Sequence, residues 1–225
     1  MSNPVALVHG FASSFERNWR EPGWADLLAE AGREVVPVDL LGHGTAERPH
    51  DPAAYANLEG HLGAALPSGP LDAIGFSLGA RVLLGLAARE PARFERLVVA
   101  GVGENLFRDH DAEPLARAVE TGDGGAGGIA HLFVQYAAGS GNDPVALAAC
   151  LRRPEEPLTE ADLGRITCPV LVVLGDKDFA GPPDRLVAAL PDARLVVLRN
   201  VEHFATPKDF GFIDAALEFL DAVPA

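Results

Sequence analysis

Short apolar runs rich in valine, leucine and isoleucine alternate with segments of helical spacing from one end of this chain to the other. Strand candidates lie at 5–8, 34–39, 71–76, 96–100, 170–174 and 194–198. Most are apolar at nearly every position, which suits strands covered on both faces rather than strands with one wet face. Between them lie helical patterns. One at 24–31 ends at Gly32, where a left-handed residue can close the last turn. One opens at Asp51-Pro52, an acceptor followed by a proline at the first helical position, and runs to about Leu66. One at 78–90 stops before Pro91, and one at 207–220 follows the last strand. Strand followed by helix, repeated, predicts a doubly wound, mostly parallel α/β sheet.

One stretch interrupts the alternation. From Glu104 to Arg165 there are helical patterns (113–120, 129–138, 143–151 and 159–165) but no strand. An all-helical insertion in such a sheet is expected over the carboxyl ends of the strands, where ligands bind. The reading is therefore an α/β core of residues 1–103 and 166–225, with residues 104–165 as a small helical lid. Within the lid, Gly122, Gly124 and Gly127 match G-x-G-x-x-G. A dinucleotide fingerprint must follow a strand and open a helix. This one follows a polar helical segment and reads as a linker.

A chain of 225 residues with 48% hydrophobic residues supports one domain with a sizeable core. Its formal net charge of −14 repels phosphate, which speaks against nucleic acid and anionic membrane as partners. Cys150 and Cys168 show neither disulfide-framework nor metal-ligand spacing. The start, Met1-Ser2-Asn3-Pro4, lacks the basic residues and long apolar run of a secretion signal. A cytoplasmic protein is expected, with a small molecule as its partner and no metal or organic cofactor. The oligomeric state is not legible.

The chemistry is concentrated at Gly75-Phe76-Ser77-Leu78-Gly79, directly after a strand and directly before a helix. A serine hydroxyl attacks only when it is exposed to a base in a fixed rotamer, and a sharp strand-to-helix turn supplies both. The flanking glycines relieve backbone crowding. The N-terminus of the following helix favours negative charge at the same point. After the first strand, Val8-His9-Gly10-Phe11 permits a tight turn that leaves the Phe11 N–H free. With the N–H of Leu78 it would form a two-donor oxyanion site. His9 is expected to hold the loop rather than move a proton. The base should be His203, alone among seven histidines in lying between the last strand and last helix. Its orienting acid lies in Leu174-Gly175-Asp176-Lys177-Asp178. Asp178, deeper in the loop, is the choice, and Asp176 is the alternative, expected to cap the loop. The order Ser, Asp, His is that of a strand-elbow hydrolase.

These motifs, together with Asp39-Leu40-Leu41-Gly42-His43-Gly44, resemble the α/β-hydrolase superfamily over roughly residues 5–103 and 166–222. The resemblance implies Asp178 as the acid of the triad and a structural role for Asp39 and His43. It also implies a serine hydrolase that cleaves small carboxylic esters or thioesters through an acyl-enzyme. Relatives usually carry an antiparallel hairpin before the first strand, which here is either absent or cut off by a shortened start, and the lid is short. Arg81, one turn after Ser77, is similar to arginines in a lyase-like branch that makes a menaquinone precursor. As a helix arginine it is expected to form a salt bridge. That branch and carbon–carbon bond hydrolysis are the alternative activities, and a non-catalytic ligand-binding protein on the same fold is a third. Phe11, Leu78 and Phe204 adjoin the reacting centre in sequence and are expected to line the substrate pocket, joined by Phe107, Phe133 and Tyr136 from the lid.

Overall fold

A computed structural model describes residues 2–108 and 111–224. Met1 and Ala225, within the expected core, and Asp109 and His110, within the expected lid, lie outside the described residues. Six strands form one sheet: β1 (Val5–Val8), β2 (Val35–Val38), β3 (Leu71–Phe76), β4 (Phe94–Ala100), β5 (Val170–Gly175) and β6 (Ala193–Leu198). Their order is β2-β1-β3-β4-β5-β6, and every pairing is parallel. The chain steps from β1 to one side and then returns to build β3 on the other. Loops leaving β1 and β3 therefore diverge at a crevice, the place where open α/β sheets bind ligands.

The period of two along each strand divides the interior into two cores. Ala6, Val8, Ala73, Leu97, Val99 and Val172 face one layer, and Val5, Leu7, Ile74, Val98, Ala100 and Val173 face the other. The first layer is closed by α2 (Leu58–Ala65), α3 (Leu78–Arg89) and α8 (Asp184–Ala189). The second is closed by α1 (Trp24–Glu30) and α9 (Phe210–Phe219), with Trp24 stacked 4.7 Å from Phe212. The central strands β1, β3 and β5 are buried along their whole length, whereas β2 and β6 are edges and partly exposed. Alternation and solvent on one side explain why the 194–198 run is less uniformly apolar than its neighbours.

Several expected boundaries differ for local reasons. The helix expected over 51–66 is two pieces, a 3-10 turn at Pro52–Tyr55 and then α2. Asn57 restarts the chain by accepting the Gly60 N–H with its own side chain. The expected 207–220 helix is likewise preceded by a 3-10 segment, His203–Lys208, with Pro207 inside it. Asp209 then caps α9 from its side chain. The five-residue π-turn at Glu16–Arg20 and α8 carry too little apolar periodicity to have been read from sequence.

In the 104–165 segment lie α4 (Glu113–Thr121), α5 (Gly128–Ala138), α6 (Pro144–Leu151) and α7 (Glu160–Leu163). Helices α5 and α6 both pack on α4, while α7 packs on α3 and α8. The glycine run is the link between α4 and α5, with Gly125, Gly127 and Gly128 at positive φ. Among the described residues no helix is long and apolar enough to cross a membrane.

Leu83 is fully buried in the layer between α3 and the sheet. Leu83→Ala should cost about 2–5 kcal/mol in urea unfolding, because α3 cannot collapse into the space left behind. Leu195→Thr on the outer edge strand, 41% exposed, should stay within about 0.5 kcal/mol.

Candidate active site

Ser77 sits between β3 and α3 with φ 51° and ψ −112°, a left-handed backbone that a serine adopts only when its surroundings impose it. The imposition is steric. The first turn of α3 is pressed so close to the end of β1 that a methyl on Gly79 would run into the carbonyls of Val8 and His9. The N–H of Ser77 is held by the carbonyl of Ala100, 2.8 Å away. The hydroxyl is thereby lifted above the carboxyl ends of the strands.

Its Oγ lies 3.0 Å from Nε2 of His203. On the other side of the ring, Nδ1 is 2.9 Å from both carboxylate oxygens of Asp178. His203 is 2% exposed and Asp178 9% exposed, so these bonds lie out of bulk water, where they are stronger. The acid and base loops are joined by the Lys177 N–H donating to the carbonyl of Val201. Asp178 is further fixed by the N–H of Ala180, at 2.8 Å. Asp176, the alternative acid, is exposed and accepts the Asn200 N–H at 2.7 Å, which makes it the clasp of the 199–202 loop. Gly101, at φ +68°, lets the imidazole approach, since a side chain there would sit 3.1 Å from its Cε1.

The turn after β1 is built as carefully. The Nδ1–H of His9 donates to the carbonyl of Gly10 at 2.7 Å, and its Nε2 accepts the Leu40 N–H at 3.0 Å. The Gly10 carbonyl and the Phe11 N–H belong to one trans peptide and point in opposite directions. Holding that carbonyl toward His9 therefore turns the Phe11 N–H away from the core. Among the described residues neither the Phe11 N–H nor the Leu78 N–H, at the first position of α3, makes a hydrogen bond. An oxygen developing negative charge near Ser77 would find two free donors in these loops.

The loop after β2 braces this turn. Asp39 accepts the N–H of Phe15 at 2.7 Å and both the N–H and hydroxyl of Thr45. Burial opposes its charge, but these donors and His9 outweigh it, and its carboxyl lies below the usual range. Burial pushes the fully enclosed His9 down, against the opposing Gly10 bond. His43 is pushed down to about 3, by burial first and then by its neighbour His9. Both rings are neutral supports.

Aromatic rings cluster beside the base, Phe179 at 4.3 Å and Phe204 at 5.4 Å from the His203 ring. Phe133 on α5 lies 5.9 Å from Phe11, 5.2 Å from Phe204 and 6.0 Å from Phe179, and Tyr136 lies 4.8 Å from Phe204. The sequence reading missed two rings on the base itself. The His203 ring lies 4.9 Å from that of Phe76 and 4.3 Å from that of Phe179, each inclined by less than 40° to it. Adjacency to Asp178 was the available signal for Phe179, as adjacency to His203 was for Phe204. Phe107 is corrected: it does not join this cluster. Its ring lies under the guanidinium of Arg185 at 4.1 Å, because the Glu104–Phe107 turn packs beside α8 rather than α5. Arg81 forms the expected salt bridge, with Glu155.

Fold and site together define a hydrolase with a serine at a strand elbow. The alpha/beta hydrolase family model matches residues 5–221, and the chain belongs to that family. It is accordingly an enzyme of the hydrolase class. It is 34% identical over 232 residues to the pimeloyl-[acyl-carrier protein] methyl ester esterase of Neisseria meningitidis serogroup B (strain MC58), covering 88% of this chain and 85% of that one. It also matches the 2-hydroxy-6-oxo-2,4-heptadienoate hydrolase of Pseudomonas putida, 35% identical over 106 residues, which span 44% of this chain and 37% of the other. The enol-lactonase of Burkholderia xenovorans LB400 shares the fold, with a TM-score of 0.77 at 22% identity over 98% of this chain and 92% of that one.

The depressed histidines carry a consequence for acid stability. Unfolded, each ring takes up a proton near pH 6.5, whereas the folded His43 does so only near 3. Stability is complete above about 6.5 and falls with pH below it, by at most about 1.4 kcal/mol per unit for each ring. Urea unfolding at pH 7, 6 and 5 should show this fall, and His43→Leu should make it shallower. An unchanged slope in that variant would contradict the buried neutral ring.

Proposed function

We propose that this chain cleaves small carboxylic esters or thioesters through an acyl-enzyme, with Ser77 as nucleophile, His203 as base and Asp178 as the acid that orients it. The observation that carries the reading is the unbroken hydrogen-bonded line from Ser77 Oγ through both nitrogens of His203 to Asp178. As Oγ bonds to the ester carbonyl carbon, its proton passes to Nε2. The imidazolium that forms is held by the Asp178 carboxylate. The carbonyl oxygen, now anionic, is received by the N–H groups of Phe11 and Leu78. Collapse breaks the bond to the leaving oxygen or sulfur, which takes the proton from Nε2. Water, deprotonated by the same nitrogen, then releases the acid and restores the hydroxyl. Ser77, His203 and water account for every proton.

The substrate class follows from the rings beside the base. Phe11, Phe133, Phe179, Phe204 and Leu78 offer an apolar wall with few charges, suited to a slim acyl chain. The Neisseria relatives are named for a methyl ester on a pimeloyl chain carried by an acyl-carrier protein. A methyl ester at the end of a medium-length acyl chain fits the same wall, and we place this chain's substrate in that class. Helix α5, which supplies Phe133 and Tyr136, serves here as the lid. Carbon–carbon cleavage has less support: the relative named for it aligns with under half of this chain, and Arg81 is engaged by Glu155.

A panel of p-nitrophenyl esters of rising chain length, extended to methyl esters of free and carrier-bound dicarboxylic acids, tests both parts. Ser77→Ala should lower the rate by about 10⁴ or more while the protein stays folded. Comparable rates in that variant would refute the mechanism. Phe133→Ala should move the preferred p-nitrophenyl ester to a longer chain, and an unmoved optimum would remove Phe133 from the acyl wall.

A further inference from the structure

We propose that Asn18 is the positioning residue of the oxyanion site and that Tyr136 of α5 sets it, so that the seating of the helical lid governs the aim of the Phe11 N–H. This inference rests on the reading of Phe11 and Leu78 as the donor pair.

The turn after β1 contains two consecutive peptides that must be held. The Gly10–Phe11 peptide is held from its carbonyl by His9, a residue of the core, and at 3.3 Å by the Ser13 N–H. The preceding His9–Gly10 peptide is held from its N–H, which donates to Oδ1 of Asn18 at 2.9 Å. Asn18 is 2% exposed, and the carboxamide has one further use: Nδ2 donates to the hydroxyl of Tyr136 at 3.3 Å. That hydroxyl donates in turn to Oγ of Ser13, also 3.3 Å away, on the far side of the same turn.

Tyr136 lies more than a hundred residues away in the chain, on a helix of the insertion, yet its hydroxyl lies between two points of the oxyanion loop. A ring that served only as an acyl wall would have no need of buried polar partners. Other bonds keep α5 in place over this loop. Arg17 donates to the carbonyl of Tyr136 at 2.8 Å and lies 4.2 Å from its ring centroid. After α5, Asn142 donates to the Ser13 carbonyl at 2.9 Å and accepts the Gly44 N–H at 2.7 Å. The loop after β1 is thus gripped from the lid side at Ser13, and the Glu16–Arg20 turn that follows it at Arg17 and Asn18. Ala12, next to Ser13, has φ 54°, a left-handed conformation that costs energy to hold. Of these bonds, only the one through Asn18 reaches the peptide next to the donor.

A positioning residue of this kind affects the tetrahedral species and leaves substrate capture alone. The variants are Asn18→Ala, Tyr136→Phe and the pair together. Each is read by kcat and KM on p-nitrophenyl butyrate, by affinity for an alkyl trifluoromethyl ketone and by inhibition with butyrate. The ketone forms a covalent oxyanion on a serine, and butyrate forms none. Asn18→Ala should lower kcat about 10- to 100-fold, below the loss from removing an oxyanion donor outright. KM should stay within about twofold, ketone affinity should fall by the same factor as kcat, and butyrate inhibition should be unchanged. Tyr136→Phe keeps the ring and its stacking and should show the same pattern, about three- to tenfold. The double variant should fall short of the product of the two single effects, because Tyr136 acts mainly through Asn18 and only secondarily through Ser13.

Wild-type kcat and ketone affinity in folded Asn18→Ala, or a change confined to KM, would overturn the inference. Should Asn18→Ala fail to fold, as circular dichroism would show, Tyr136→Phe decides alone, and wild-type behaviour in it is an overturning result. If the ketone fails to bind the unmodified protein, the donor-pair reading falls and takes this inference with it. That result is distinct from a ketone that binds all forms equally.

Discussion

The imidazole of His203 is the point at which this structure converges. Both of its nitrogens are engaged, one with Ser77 and one with Asp178, and the rings of Phe76 and Phe179 pack against it. A ring bonded at both nitrogens and packed against two aromatics is held in one orientation toward the serine. The sheet order supplies the four supports. Phe76 and Ser77 come from the end of β3, and Asp178 and Phe179 from the loop after β5. The histidine follows β6, across from them, and Gly101 after β4 clears the space between. Move β3, β5 or β6 to another place in the sheet and the ring would lose a partner.

Much of this arrangement is legible in the residues, for reasons that can be named. A strand buried on both faces cannot hide its composition, so β1, β3 and β5 are visible as apolar runs. The elbow is visible because its crowding excludes side chains at 75 and 79, and that demand leaves glycines in the sequence. Asp178 is separable from Asp176 by depth in the loop, since an acid that orients a base must leave water while one that caps a turn need not. What is not legible depends on who meets whom across long separations. Phe107 and Phe133 are alike as apolar residues of helical segments, and only the packing of the Glu104–Phe107 turn beside α8 sends the first to Arg185. Asn18 is an unremarked polar residue before a tryptophan until the fold sets Gly10 on one end of it and Tyr136 on the other. The break at Asn57 is a contest between a continuous helix and a side-chain cap, and sequence periodicity does not register a cap that wins by a few tenths of a kcal/mol.

The loops after β1 and β2 show how a catalytic site can rest on groups that do no chemistry. His9, Asp39 and His43 are titratable residues of these loops, and each is spent on backbone geometry. The cost is borne in acid, where the folded protein refuses protons that the unfolded chain accepts. A hydrolase built in this way binds its working pH to its stability as well as to its base.

The base itself is carried just beyond β6, an edge strand with a neighbour on one side only. Central strands are gripped from two directions, whereas an edge can peel while the remainder holds. Withdrawal of this border would take the imidazole with it and leave a well-formed sheet, an intact elbow and an inert hydroxyl. Turnover in such a molecule is a gauge of how firmly its margin is sewn down, and a partner, crowding agent or mild denaturant acting on that margin would dim the enzyme long before the protein as a whole came apart.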